Sequence, residues 1–229
     1  MKDFSILENK LNLNFKKKDL LFQAFTHRSY LNENPDFNLN HNERLEFLGD
    51  AVLELVITNY LYLKYSDVSE GMLTNWRASL VNTEILAKIA YKLKFHDFLL
   101  VSKGEKREIH KAKASILADV FESFIGALYL DQGYDSCKSF IEQYLVVELS
   151  EIIKKGLYRD AKSMFQEKAQ EKIGITPEYK VIKEIGPDHK KIFTLGVFLE
   201  KKLIAEGEGL SKQKAEEEAA KKALEIKKW

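Results

Sequence analysis

From about Asn9 to Glu151, apolar residues recur three and four positions apart with few Gly or Pro between them, which predicts successive amphipathic helices. Leu48, Val52, Leu55 and Val56 form one such set, and Ile116, Val120, Phe121 and Phe124 form another. The proline of this stretch, Pro35, sits in a polar run from Asn32 to Asn38 that reads as a loop. The pattern changes after Lys154, Lys155 and Gly156. Asp160 to Ile173 is still helical and stops at Gly174. Tyr179–Ile185 and Lys191–Leu199 are richer in β-branched and aromatic residues and read as strands. A short third strand, Lys202–Glu206, leads through Gly207, Glu208 and Gly209 to Ser211, placed to cap a helix over Lys212–Lys228. The expectation is an all-α domain over residues 1–153, a linker over 154–159, and a small α+β unit of order α-β-β-β-α over 160–229.

Composition narrows the class. Of 229 residues, 45% are hydrophobic, enough for a true core, and 31% are charged with a formal net charge of only +1. The pI near 7.7 falls below the value of about 9 that marks many nucleic-acid-binding domains, so any phosphate-binding surface must come from local arrangement. Cys137 is the single cysteine, which excludes an intrachain disulfide and a cysteine-based zinc site and suits a small packing residue. No signal-peptide pattern and no membrane-length apolar run is present, so a cytoplasmic protein without a membrane partner is expected.

The chemistry gathers in two helical segments. At about 100° per residue, Glu43, Glu46 and Asp50 fall within roughly 60° of arc, opposite Leu45, Leu48 and Val52. The segment runs on through Leu55, Val56 and Ile57 and is expected to be a buried helix. Anions stacked on such a helix repel one another, and only a cation or a wet cleft relieves them. A second apolar run, Ser115–Ala127, carries Asp119 and Glu122 one turn apart. Packed face to face, the two helices would gather Glu46, Asp50, Asp119 and Glu122 into one acidic cage. Oxygen ligands without histidine suit Mg²⁺ or Mn²⁺, and the Glu-x-x-His motif of di-iron bundles is absent. Taken singly, each acidic pair also fits a solvated face or a structural salt bridge.

The run Glu43-Arg44-Leu45-Glu46-Phe47-Leu48-Gly49-Asp50-Ala51-Val52-Leu53 resembles the signature motif of the ribonuclease III family, and Ser115–Ala127 resembles its second acidic motif. The second match has Ser123 where alanine is commoner, a mild change at a small-residue position. The similarity covers nearly the whole chain and its domain order, that of a bacterial-type member: an all-α nuclease domain followed by a double-stranded RNA-binding domain. The resemblance implies an Mg²⁺-dependent endoribonuclease, with Mn²⁺ able to substitute, that acts on double-stranded RNA as a homodimer. It assigns metal binding to Glu46, Asp50, Asp119 and Glu122, and catalysis to Asp50 and Glu122 among them. It gives accessory roles to Glu43, near the subunit interface, and to Glu70, acting across the dimer. Glu70 equally fits a helix N-terminal acid favoured by the dipole. The implied products carry 5′ phosphates, 3′ hydroxyls and short 3′ overhangs, and ribosomal RNA precursors, messenger RNA and small-RNA duplexes are the general substrates.

In the C-terminal unit the resemblance places RNA contacts at Gln166, Glu167 and Gln170 on the first helix and at His189 in the first strand loop. It adds Ser211, Lys212, Gln213 and Lys214 at the second helix's N-terminus, where exposed N–H groups assist the lysines at phosphates. Glu216, Glu217 and Glu218 are expected to face away from RNA. The basic residues Lys103, Lys106, Arg107, Lys111 and Lys113 depart from a connection that is often glycine-rich in the family; RNA contact and a solvated loop both remain open for them. Thr26–Tyr30 is assigned a structural role, and Trp76 and Trp229 none in function. Two rivals stand beside the nuclease: a non-catalytic dimeric duplex-RNA-binding protein and a metalloenzyme acting on a small phosphoester. Retention of all four acids argues against the first, and the RNA-binding unit against the second.

Overall fold

The two carboxylate-bearing segments form the longest helices among the described residues, α4 (Glu43–Lys64) and α8 (Ala114–Gln132). In this computed structural model, which describes residues 2–108, 114–156, 158, 161–187 and 191–229, they are the centre of the first of two units, Met1–Tyr158 and Arg159–Trp229. Around them lie α1 (Ser5–Leu11), α2 (Lys18–Ala24), α3 (Arg28–Glu33), α5 (Glu70–Leu80), α6 (Thr83–Lys92), α7 (Lys103–Glu108), α9 (Tyr134–Tyr144) and α10 (Leu149–Lys155). Phe25, Phe95, Phe121 and Phe124 are fully buried, and the Phe25–Phe95 and Phe95–Phe124 ring centroids are each 5.1 Å apart. This aromatic block supplies a large share of the burial that holds α8 in place.

What sets the α4–α8 separation is a pair of glycines. A Cβ at Gly49 would lie 1.8 Å from the Glu122 carbonyl oxygen, and one at Gly126 would lie 2.1 Å from that of Leu45. The helices therefore touch backbone to backbone at their crossing. Glu46 and Asp50 flank Gly49, and Asp119 and Glu122 lie within two turns of Gly126, so the contact brings the acids of the two helices together. The face-to-face packing expected from the sequence is the observed one.

The second unit contains α11 (Ala161–Ile173), β1 (Glu178–Ile185), β2 (Ile192–Leu199), β3 (Lys202–Gly209) and α12 (Lys212–Lys227). The strands form an antiparallel meander in the order β1-β2-β3. Val197, Leu199 and Ala205 of the sheet bury against Phe165 and Ala169 of α11 and Ala219, Ala220 and Ala223 of α12. Trp229 stacks on Phe165 at 5.3 Å, which gives this residue a packing role.

Four expectations change. α4 is half-buried: Phe47 is 81% exposed, and Leu55, Tyr62 and Leu63 are exposed with it. β3 runs past its expected end at Glu206 to Gly209, and its glycines serve close packing, since a Cβ at Gly207 would lie 2.2 Å from the Ala219 nitrogen. Lys154 and Lys155, assigned to the linker, belong to α10, which Gly156 closes in the left-handed conformation. Lys103 opens the short helix α7 where the sequence left a loop open.

Cys137 is fully buried, its thiol 3.6 Å from the Ile125 carbonyl oxygen, and burial pushes its pKa up to about 12. That inert setting suits packing. Among the described residues no helix is long and apolar enough to cross a membrane.

Candidate metal centre and RNA-binding surface

Glu46 from α4 and Asp119 and Glu122 from α8 each place a carboxylate oxygen within 4.8 Å of the other two. All three are partly buried. Asp50, one turn beyond Glu46, lies exposed beside this group rather than in it, although its charge acts on both Glu46 and Glu122. Burial, then repulsion from Asp119, Glu43 and Asp50, raises the Glu46 pKa to about 7. Burial, then Asp50, Glu46 and Asp119, raises that of Glu122 to about 8. Burial also raises Asp119, against a favourable interaction with His27. None of the three forms an ion pair with lysine or arginine among the described residues.

Such a group is under electrostatic tension that a cation would release. The donor set, carboxylate oxygens alone, matches a hard divalent ion, so the residues fit a magnesium-type ligand shell. The site's edge is different. Glu43 is half-exposed and lies 3.6 Å from Arg28 and 3.8 Å from His41. Glu70 is remote from the cluster of its own chain. It accepts a hydrogen bond from Thr74 at 3.1 Å and lines a cavity of ≈ 690 Å³ with Tyr62, Tyr65, Leu73 and Arg77.

Two supports were less visible in sequence. Ser123 is fully buried and its hydroxyl donates to the Asp119 carbonyl oxygen at 2.6 Å, so the serine is satisfied where an alanine would also fit. Asn42, also buried, starts α4 and donates its backbone N–H to Thr26 at 2.9 Å, tying the signature helix to the segment that holds His27. Among the described residues, His27 is the side chain whose interaction lowers the Asp119 pKa.

In the second unit, Gln166, Glu167 and Gln170 are exposed on α11, and Gln170 donates to Thr176 at 3.2 Å. Lys212, Gln213 and Lys214 form the exposed first turn of α12, where Ser211 caps the helix by accepting from the Lys214 N–H at 3.3 Å. Lys212 sits 3.4 Å from Glu184. Glu216 pairs with Lys162, and Glu217 and Glu218 pair with Lys221. His189, Lys111 and Lys113 lie outside the described residues.

A helical domain presenting carboxylates at a glycine crossing, followed by an α-β-β-β-α unit with a basic helix N-terminus, defines a metal-dependent nuclease coupled to a duplex-RNA-binding domain. Residues 17–149 match the model of Ribonuclease-III-like domains, and residues 161–227 match the double-stranded RNA binding motif. The chain is 44% identical over 221 residues to Ribonuclease 3 of Enterococcus faecalis, covering 95% of this chain and 94% of that one. It is also 44% identical over 225 residues to Ribonuclease 3 of Geobacillus kaustophilus, covering 97% and 90%. Among solved structures, the nuclease domain of ribonuclease III from Campylobacter jejuni superposes with a TM-score of 0.58 at 42% identity, over 65% of this chain and 97% of that one. A second structure of that domain, with a TM-score of 0.57 and 42% identity over 62% and 96%, concerns flexibility in its region involved in dimer formation. The chain belongs to the ribonuclease III family. Its activity is that of an endoribonuclease acting on double-stranded RNA.

Proposed function

We propose that Glu46, Asp119 and Glu122, with Asp50 beside them, hold Mg²⁺, for which Mn²⁺ can substitute, and that duplex RNA is hydrolysed there to 5′ phosphate and 3′ hydroxyl ends. The observation that carries this reading is the acidic cluster at the Gly49–Gly126 crossing, without a lysine or arginine partner among the described residues and with two of its acids raised to about 7 and about 8. When bound, a divalent ion supplies a Lewis acid for the phosphodiester and lowers the pKa of water. The chain's own residues do the rest. Glu46, Asp119 and Glu122 orient their oxygens inward from two rigid helices. Asp50 and Glu122 are the acids assigned to catalysis, Asp50 from the more exposed rim. The α11 face and the α12 N-terminus hold A-form backbone, which selects duplex RNA by shape.

The exposed side of α4 supports a homodimer. Phe47, Ala51, Leu55 and Tyr62 share one side of that helix, are all exposed, and span about 22 Å at 1.5 Å per residue. An apolar strip of that length is a natural site for a second copy. Glu70 lies by Tyr62 at one end of it, where an acid would reach a partner's site. Paired active sites then cut both strands and leave short 3′ overhangs. Ribosomal RNA precursors and other structured transcripts, met in the cytoplasm, are the expected substrates.

The test is cleavage of a labelled RNA duplex in Mg²⁺ by the native chain and by Glu122→Gln, with binding measured in Ca²⁺. Cleavage is expected to collapse in the variant while binding persists. Binding without cleavage by the native chain, in Mg²⁺ and in Mn²⁺, would favour the non-catalytic duplex-RNA binder and refute this reading.

A further inference from the structure

His27 immediately precedes α3, and its ring nitrogen Nδ1 caps that helix by accepting the Ser29 N–H at 3.2 Å. The same nitrogen lies 2.8 Å from the Ser29 hydroxyl oxygen, which accepts the Ser102 N–H at 3.1 Å. A nitrogen that accepts an amide hydrogen carries none itself, so the neutral ring bears its hydrogen on Nε2. Burial, which lowers the His27 pKa, favours that neutral form. Among the described residues Nε2 has no hydrogen-bond partner.

The backbone around the ring is fixed from two sides. His27 donates to Leu100 at 2.9 Å, and Thr26 accepts from Asn42 at 2.9 Å at the start of α4. The Asn42 carbonyl oxygen is in turn 3.4 Å from the Ser123 hydroxyl, which bonds the Asp119 carbonyl. This chain of contacts lays the His27 segment against the turn of α8 that carries Asp119. The carboxylates that act on the imidazole are those of Glu105, Asp119 and Glu43. Glu43 is held by Arg28, and Asp119 is the one that belongs to the metal cluster.

We propose that His27 is a positioning residue for Asp119: its Nε2–H donates to the Asp119 carboxylate when that group turns to ligate the divalent ion. The inference rests on the metal reading above and deepens it. It assigns to a helix-capping histidine the outer-sphere role that fixes the orientation of a ligating carboxylate, an effect worth about 10- to 100-fold in metal affinity.

Two substitutions separate the cap from the donor. His27→Asn keeps a short acceptor for the Ser29 N–H and removes the distant donor, because asparagine is a strong N-cap. His27→Gln keeps an N–H near the Nε2 position and gives up the cap. Mn²⁺ binding to the full chain without RNA, followed by electron paramagnetic resonance at alkaline pH, is read beside the melting temperature. The expected result is crossed. His27→Asn melts like the native chain and binds Mn²⁺ about 10- to 100-fold more weakly, whereas His27→Gln melts lower and binds Mn²⁺ within about threefold of native. Native-like Mn²⁺ affinity in His27→Asn overturns the inference alone, as does an equal loss of affinity in both variants. A native chain with no Mn²⁺ binding that Glu122→Gln abolishes removes the metal reading and this inference with it.

Discussion

Gly49→Ala is the sharpest test of how the fold builds the site. The added Cβ meets backbone atoms, the Glu122 oxygen at 1.8 Å, the Glu122 carbon at 2.6 Å and the Gly126 nitrogen at 2.8 Å, so no side chain can swing aside. Ordinary contact begins at 3.4 Å, so the closest pair must separate by 1.6 Å. α4 and α8 are packed on other helices along their length and cannot part without opening the core. Overpacking commonly costs about 1–3 kcal/mol, and a rigid backbone clash belongs at or above the top of that range. For a domain of this size each kcal/mol lowers the melting temperature by roughly 2–4 °C, so a fall of about 6–15 °C is expected. The same displacement parts Glu46 from Asp119 and Glu122, and a misplacement of about 1 Å can cost 100-fold in rate. Thermal melting and single-turnover duplex cleavage, each referred to Gly71→Ala, provide the assay. A Cβ at Gly71 meets nothing within 4 Å, so that control should be neutral or slightly stabilising. A Gly49→Ala chain that melts within about 2 °C of native, less than 1 kcal/mol, and cuts at the native rate would refute the crossing as the device that assembles the site.

Three further outcomes follow from the same structure. Glu46 and Glu122 have pKa values of about 7 and about 8 against an ordinary 4.5, so their ionisation opposes folding as pH climbs through that window. The metal-free chain should therefore melt lower at about pH 8.5 than at about pH 6, Mg²⁺ should restore more at the higher pH, and apparent Mg²⁺ affinity should rise across the interval because binding displaces protons; affinity independent of pH would contradict the cluster. Phe47→Asp places a charge on the most exposed apolar residue of α4, and sedimentation should show monomer where the native chain shows dimer; an unchanged dimer would move the interface elsewhere. Lys214→Ala, at the exposed first turn of α12, should weaken duplex binding uniformly across sequences and reduce the salt slope by about one; an unchanged slope would remove this lysine from the phosphate contacts.

Periodic features were legible in the sequence and contextual ones were not. The 3.6-residue repeat located α4 and α8, the change of period located the sheet, and Ser211 located the α12 cap, because each signal is local. The exposed side of α4 was read as core. A leucine on an exposed side has the same character as one that faces its own core, so Leu55 at 57% exposure is indistinguishable in sequence from buried Val56. Gly207 and Gly209 fall beyond the expected end of β3 because glycine signals backbone freedom and close approach with the same letter, and only the approach of α12 tells them apart. Asp50 shares an arc with Glu46, yet one further turn carries it from the partly buried cluster to the rim. His27 was assigned a structural role, correctly as a cap, but its proximity to Asp119 arises through Asn42 and Ser123, residues 15 and 96 positions away in sequence.

The near-zero net charge includes acids of two contrasting kinds. Glu8 is held by Lys18, Glu148 by Lys88 and Lys92, Glu216 by Lys162, and Glu217 and Glu218 by Lys221. Most of these pairs are exposed on at least one side, so each contributes at most about 1 kcal/mol. Their larger effect is to cancel lysines locally. Glu46, Asp119 and Glu122 belong to the other population. Among the described residues they form no ion pair with lysine or arginine, and repulsion among them is left standing in the fold. A bulk count treats both populations alike. Burial and mutual repulsion separate them, and they mark the same three carboxylates that the crossing brings together.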